Sequence, residues 1–338
     1  LTIAANGTLS APRGNLDLSA NLDVTGTFDH NSGKVRAMDG QTIQIQGGNS
    51  TPLTFFNLES NLGWCSLRGT GGITVLNTLS ATTRYNIIRP LDGNVPLTLG
   101  TDSDAGGLTG NAIQFTSNGT NYAEIKAASS LKPWTAATAP DFDSGGSGSK
   151  VRIADCDMDP DITTGGGGVT ITLTGDCEFD AVTVSGGDTL DLNGQRMECS
   201  GNFTASSGTC NVDFGAGMLI APRLNINGGT YTGEAGAALI VTGSSGGENI
   251  TLTDSTFTGD ATTNLLINNG TTSVDWSNSS DYAGNVIVGS GTFRSIHATN
   301  NCNNLTIATG GTLDAASYTH TVAGDFTTSG GLLGASCL

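Results

Sequence analysis

Basic residues are scarce: thirteen Lys and Arg stand against thirty Asp and Glu, a formal charge of −17 at pH 7. With an isoelectric point near 4.2, such a surface repels phosphate backbones and anionic lipid, so nucleic acid is not an expected partner. It suits a cation-rich medium. No run of eighteen or more apolar residues occurs, so no helical membrane span is expected. Long helical patterns are nearly absent as well. The best helix candidate is Tyr122-Ala-Glu-Ile-Lys-Ala-Ala-Ser-Ser-Leu131, which is short and stops before Pro133. No C-x-x-C pair exists, so a zinc ribbon has no support. The chain starts at Leu1 without Met or a basic leader, as expected if a leader was removed or if it is a piece of something longer.

Glycine is plentiful instead. Fifty Gly, abundant Thr, Ser and Asn, and only 13% charged residues describe a chain of β-arcs. Thr and Val suit stacked strands, while Gly and Asn supply corners with positive φ. Intrinsic disorder is the competing interpretation, but an apolar content of 36% in regular alternation argues against it.

The chain also repeats itself. Thr189-Leu-Asp-Leu-Asn-Gly-Gln-Arg-Met-Glu-Cys-Ser-Gly-Asn-Phe-Thr204 aligns without a gap on Thr312-Leu-Asp-Ala-Ala-Ser-Tyr-Thr-His-Thr-Val-Ala-Gly-Asp-Phe-Thr327, at an offset of 123 residues. The first apolar residues of successive strand-like cores are Val182, Phe203, Leu224, Leu265, Val286, Leu305 and Phe326, in steps of 21, 21, 41, 21, 19 and 21, with the 41 taken as two turns. A period near twenty-one is too short for a helix pair, and the consensus of a leucine-rich repeat is missing. The predicted fold is all-β: a right-handed parallel β-helix (β-solenoid) with about 20–21 residues per turn. Three stretches are expected: N-terminal coils over 1–81, an irregular insertion or small subdomain over 82–150 that holds four of the eight prolines, and C-terminal coils over 151–338.

Phe28-Asp-His-Asn-Ser-Gly-Lys-Val35, Gln41-Thr-Ile43 and Thr54-Phe-Phe-Asn-Leu58 resemble the motif run of the β-strand-repeat proteins of bacterial surfaces and some phage structural proteins. The segments from Thr189 and Gly324 are similar to the same family, and the middle stretch departs from it. The resemblance implies an extracellular β-solenoid used as adhesin, fibre or shaft, and it transfers no catalytic residue.

Several residues carry candidate chemistry. Cys156, Cys177 and Cys199 recur at 21 and 22 residues and should stack, either as one disulfide (Cys156 to Cys177, or Cys177 to Cys199) or as a ladder of free buried thiols. Cys337 is the candidate for a link to another subunit. In Asp155-Cys-Asp-Met-Asp-Pro-Asp161, four carboxylates at alternate positions (Asp155, Asp157, Asp159 and Asp161) would project from one face of a strand and call for a cation, calcium being the natural choice, or for full solvation. Asp102 with Asp104, and Asp141 with Asp143, open two more acidic loops of the same kind.

Polysaccharide lyase or hydrolase chemistry would draw on Asp157, Asp159 and Arg152, but His30, His297 and His320 are scattered with no nucleophile pattern around them. Trp64, Trp134, Trp276 and Tyr282 are either stacking faces for a cell-surface glycan or core fillers. The expected role is non-enzymatic: an extracellular or cell-surface structural protein that self-associates into a filament, surface layer or adhesive fibre through solenoid ends and lateral contacts. A tail fibre or tailspike of a virion is the first alternative, and the β-helix enzyme the second.

Overall fold

The computed structural model describes residues 1–38, 43–46, 52–61, 65–68, 72–82, 86–88, 95–110, 113–115, 122–142, 148–205, 208–243, 248–253, 256–259, 264–278, 282, 284–295, 299–315 and 319–333. Among them every element is a β-strand, from Thr2–Ile3 to Gly331–Leu333, and the strand ladders are parallel. The chain forms two compact units, Leu1–Cys177 and Glu178–Leu338. Each is a β-solenoid with three strands per coil, one on each of three walls.

In the first unit, wall A stacks Asn15–Leu18 on Lys34–Ala37, then on the later halves of Leu53–Ser60 and Ile73–Ala81, then on Gly107–Gly110, Trp134–Ala136 and Cys156–Met158. Wall B runs from the early halves of Leu53–Ser60 and Ile73–Ala81 through Val95–Leu99, Ala123–Ala127 and Lys150–Ala154 to Thr170–Leu173. Wall C begins with Thr2–Ile3, Leu22–Val24, Ile43–Gln46 and Cys65–Arg68. Alternation explains the folding of each strand. In Ala123–Ala127 the residues Ala123, Ile125 and Ala127 are buried while Glu124 and Lys126 face outward. That segment lies in the best helix candidate; its period of two and its neighbours on both sides outweigh the helix preference of Ala, Glu and Lys.

The ladders run on between residues 82 and 150. Ile73 pairs with Leu97, Thr78 with Gly107, and Ala123 with Val151, so coils here are 24 to 29 residues long. The additional residues fall between the paired strands, some of them at described corners. Gly110 marks one such corner: its φ is +92°, and an added Cβ would collide with the carbonyl oxygen of Ala81 one coil below.

In the second unit, wall D stacks Arg196–Cys199, Met218–Ala221, Ala238–Val241, the first part of Asn264–Asn278, the first part of Asn285–Ser295, Leu305–Ile307 and Phe326–Thr328. Wall E takes Val182–Val184, Asn202–Ala205, Arg223–Asn227, Glu248–Thr253 and the end of Asn264–Asn278. It then passes to the later part of Asn285–Ser295, Gly311–Asp314 and Gly331–Leu333. Wall F contains Thr189–Asp191, Asn211–Gly215, Thr230–Gly233 and Thr256–Gly259.

Val182, Phe203 and Leu224 are vertical neighbours, as the sequence spacing predicts. The next step differs. Leu224 pairs with Ile250, at an offset of 26, whereas Leu265 pairs with Leu239 on wall D. The interval of 41 is therefore one long coil with a change of wall, not two even coils. The pair of segments 123 residues apart is explained in the same way. Thr189–Asp191, Arg196–Cys199 and Asn202–Ala205 occupy walls F, D and E, while Gly311–Asp314 lies on wall E and Phe326–Thr328 on wall D. The repeated unit is the strand with its arc, and the two copies are displaced by one wall.

The core is a set of apolar columns. On wall D, Met197, Leu219, Leu239, Leu265, Val286 and Leu305 are each at most 1% exposed. Each fully buried side chain of this size contributes about 1.5–3 kcal/mol.

Candidate functional site

The acidic run from Asp155 to Asp161 does not form one strand. Asp155 has a left-handed backbone (φ 52°) and turns the corner between Lys150–Ala154 on wall B and Cys156–Met158 on wall A. Cys156 and Met158 point into the core and Asp157 points out; the strand ends there, leaving Asp159 and Asp161 exposed in the following turn. The run therefore alternates only around Asp157, and the expected row of four carboxylates is broken at both ends. Burial raises the pKa of Asp155, the Asp176 carboxylate adds to the effect, and Lys126 opposes it. Asp155 is thus a partly desolvated corner facing a like charge.

Asp102 and Asp104 lie in an exposed turn whose backbone is held locally: the hydroxyl oxygen of Thr101 accepts from the N–H of Ser103 at 3.2 Å and of Asp104 at 2.9 Å. Asp141 bridges to Gln114, and Asp143 lies outside the described residues. Among the described residues no group of three or more His, Cys, Asp or Glu is placed to hold a metal ion.

Cys156, Cys177 and Cys199 are buried free thiols, as are Cys210 and Cys302. Of the two arrangements left open by the spacing, the buried free thiols are the one present, and geometry gives the reason. Equivalent positions on neighbouring parallel strands carry parallel Cα–Cβ bonds, which keep the Cβ atoms about 4.8 Å apart where a disulfide needs about 3.8 Å. Burial, with Asp180 nearby, pushes the Cys199 thiol up to about 12, and burial pushes Cys302 up to about 11. These are unreactive, core-filling thiols. Cys337 lies outside the described residues.

The aromatic candidates divide. Trp134 is fully buried and donates its indole N–H to the carbonyl oxygen of Ala154 at 3.1 Å, and Tyr282 is 2% exposed; neither offers a stacking face to a sugar. Trp64 and the side chain of Trp276 lie outside the described residues, as does His297. His30 stacks on Phe56 with ring centroids 6.0 Å apart, and its Nδ1 accepts from the Ser32 N–H. His320 packs against Phe293, and burial lowers its pKa. The corner at Asp155 also divides the hypothetical catalytic set, since Arg152 is on wall B and Asp157 on wall A.

Two outward features escaped the sequence pattern. The Arg152 guanidinium lies 3.7 Å from the centroid of the Tyr122 ring, with the Lys150 ammonium at 5.6 Å, a cationic and aromatic cluster on an acidic chain. Its residues come together because Ala123 stacks on Val151 at an offset of 28, which an even period of twenty-one hides. The second lies on wall D, where Ile220, Ile240, Leu266 and Ile287 form one outward column. Its signal was available: Met218-Leu-Ile-Ala221, Ala238-Leu-Ile-Val241 and Leu265-Leu-Ile267 are continuous apolar runs where other strands alternate with polar residues.

No family model, curated protein or solved structure matches this chain. What the fold defines is a class, the three-walled parallel β-solenoid, and this architecture hosts both enzymes and structural proteins.

Proposed function

We propose that this chain is an extracellular structural protein, a subunit of a filament, surface layer or adhesive fibre. The observation that carries the proposal is the parallel register of wall D, maintained strand on strand from Arg196 to Thr328. A ladder of backbone hydrogen bonds over a filled core resists bending and stretching, and its outward positions are free to vary. The acidic surface keeps such an element soluble in a cation-rich medium. Phe326 and Leu332 continue the core columns of Leu305 and Leu313.

Negative-stain microscopy of purified protein tests the proposal. Long polymers or sheets of solenoids are the expected result. Short trimeric stalks would favour the virion fibre instead, and release of unsaturated or reducing sugar from acidic polysaccharides would replace the proposal with the enzyme.

A further inference from the structure

Wall B of the first unit carries its outward side chains in columns. One column runs through Pro96, Glu124, Arg152 and Thr172, and beside it Lys150 pairs with Thr170. Ile125, Val151, Ile153 and Ile171, which alternate with them, are at most 3% exposed and face the core, so the polar residues face out. Lys150 and Arg152 are two residues apart on one strand, which sets them about 6.6 Å apart on the same face.

Three other cations of this chain are neutralised by an adjacent coil. Arg36 holds Asp17 in a bidentate pair at 2.7 Å, Lys34 reaches Glu59 at 2.7 Å, and Arg196 reaches Glu178 at 3.2 Å. Arg152 differs. On one side its register neighbour is Glu124, whose carboxylate lies 3.8 Å from the Lys126 ammonium, and on the other side stands the neutral Thr172. The Arg152 guanidinium rests on the Tyr122 ring instead, 3.7 Å from its centroid, and its buried Nε has no hydrogen-bond partner among the described residues. The Lys150 ammonium lies over the same ring at 5.6 Å. An unmatched N–H on a charged group is costly, and thirty carboxylates on the chain could have supplied a partner in register.

We propose that Arg152 and Lys150, with Tyr122 as their platform, bind the carboxylate of an acidic sugar on the outer face of wall B. A guanidinium lying against a ring face keeps the N–H groups at its rim for an anion, and a planar carboxylate accepts two of them in parallel. The surroundings select a sugar. Thr170 and Thr172, one coil on, carry hydroxyls that both donate and accept, and the Glu124 carboxylate accepts, so sugar hydroxyls find partners beside the cations. A peptide carboxylate fits less well. Ala123–Ala127 and Lys150–Ala154 are paired on both sides, leaving no edge for an added strand, and Pro96 is the one aliphatic residue in these columns that could anchor a side chain. A dense polyanion is repelled by a molecule of charge −17, whereas a single carboxylate is screened from distant charges beyond about 8 Å at physiological salt.

The inference does not rest on the filament proposal, because binding is read on the full chain whatever its state of assembly. The probe is a disaccharide of one glucuronate and one neutral hexose, titrated with ligand-observed NMR. Saturable binding is expected, and the methyl ester of the same disaccharide is expected to lose it. Arg152→Gln is expected to weaken binding about tenfold or more; where that variant fails to keep the native circular dichroism, Lys150→Gln is expected to weaken it about threefold or more. Raising NaCl from about 0.05 M to about 0.5 M is expected to weaken wild-type binding as well. Absence of saturable binding, equal binding of acid and ester, or unchanged affinity in both variants overturns the inference. So does displacement of the disaccharide by an equal concentration of acetate, which would mark a site for any small anion. Polymers seen without sugar binding keep the filament and remove the site; sugar binding without polymers does the reverse.

Discussion

Truncating Leu224 and Ile250 to alanine, singly and together, probes the longest coil of the second unit. Both side chains are at most 1% exposed and stack directly on each other along wall E in adjacent coils. Each truncation removes three carbons, about 2.4 kcal/mol at 0.8 kcal/mol per group, and a cavity term brings the expected loss to about 3–4 kcal/mol. The two cavities adjoin. Once Leu224 is gone, Ile250 has already lost its neighbour on one side, so the double variant should lose about 0.5–1.5 kcal/mol less than the sum of the singles. Leu305, on wall D several coils further on, provides the control: Leu224→Ala with Leu305→Ala should add within about 0.5 kcal/mol. Urea unfolding followed by far-UV circular dichroism measures all six proteins, with equal m-values required before free energies are compared. Additivity for Leu224 with Ile250 would refute the 26-residue coil and return the chain to an even spacing, in which Leu224 stacks near Ser245.

Three further outcomes follow from single positions. Gly110→Ala should destabilise by about 1–3 kcal/mol in thermal or urea unfolding, because alanine neither tolerates φ +92° nor clears the Ala81 carbonyl. His320 should give an acid limb to stability. Burial lowers its pKa, so the unfolded chain binds the extra proton, and stability is lost as pH falls below the unfolded value of about 6.5; His320→Phe should flatten melting temperatures between pH 8 and pH 5. Asp155→Asn should raise the melting temperature at pH 7, since it removes a partly buried carboxylate facing Asp176 while Asn still accepts the left-handed corner. The raised carboxyl pKa of Asp155 fixes the sign: wild-type instability is present at neutral pH and relieved as pH falls through that pKa, so the advantage of the variant must shrink in acid.

The class of fold was legible because every strand must bury alternate residues whatever its wall. Val182, Phe203 and Leu224, or Leu265, Val286 and Leu305, are columns that a period near twenty-one reveals directly. Wall identity was not legible. Strands on all three walls obey the same pattern, so Thr189–Asp191 on wall F and Gly311–Asp314 on wall E look alike in sequence and differ only in their neighbours. Arc lengths were hidden too, since the loops between Val95–Leu99, Ala123–Ala127 and Lys150–Ala154 lengthen without disturbing the register. The acidic cluster misled for a local reason. Alternating Asp reads as one strand face until a left-handed residue such as Asp155 interrupts it.

A solenoid whose three walls share one interior rule leaves its outward positions as the place where one wall differs from another. In wall D of the second unit those positions change from the ion pair between Arg196 and Glu178, through aliphatic Ile220, Ile240, Leu266 and Ile287, to Thr306 and Thr327. Interior packing cannot account for that gradient, because the inward columns beside it are uniformly apolar from Met197 to Leu305. Solubility cannot account for it either, since Thr or Lys at each of the four sites would serve an acidic surface better. The sheet itself gives a reason: stacked in register, the four aliphatic side chains make cross-strand contacts worth about 0.2–1 kcal/mol per pair.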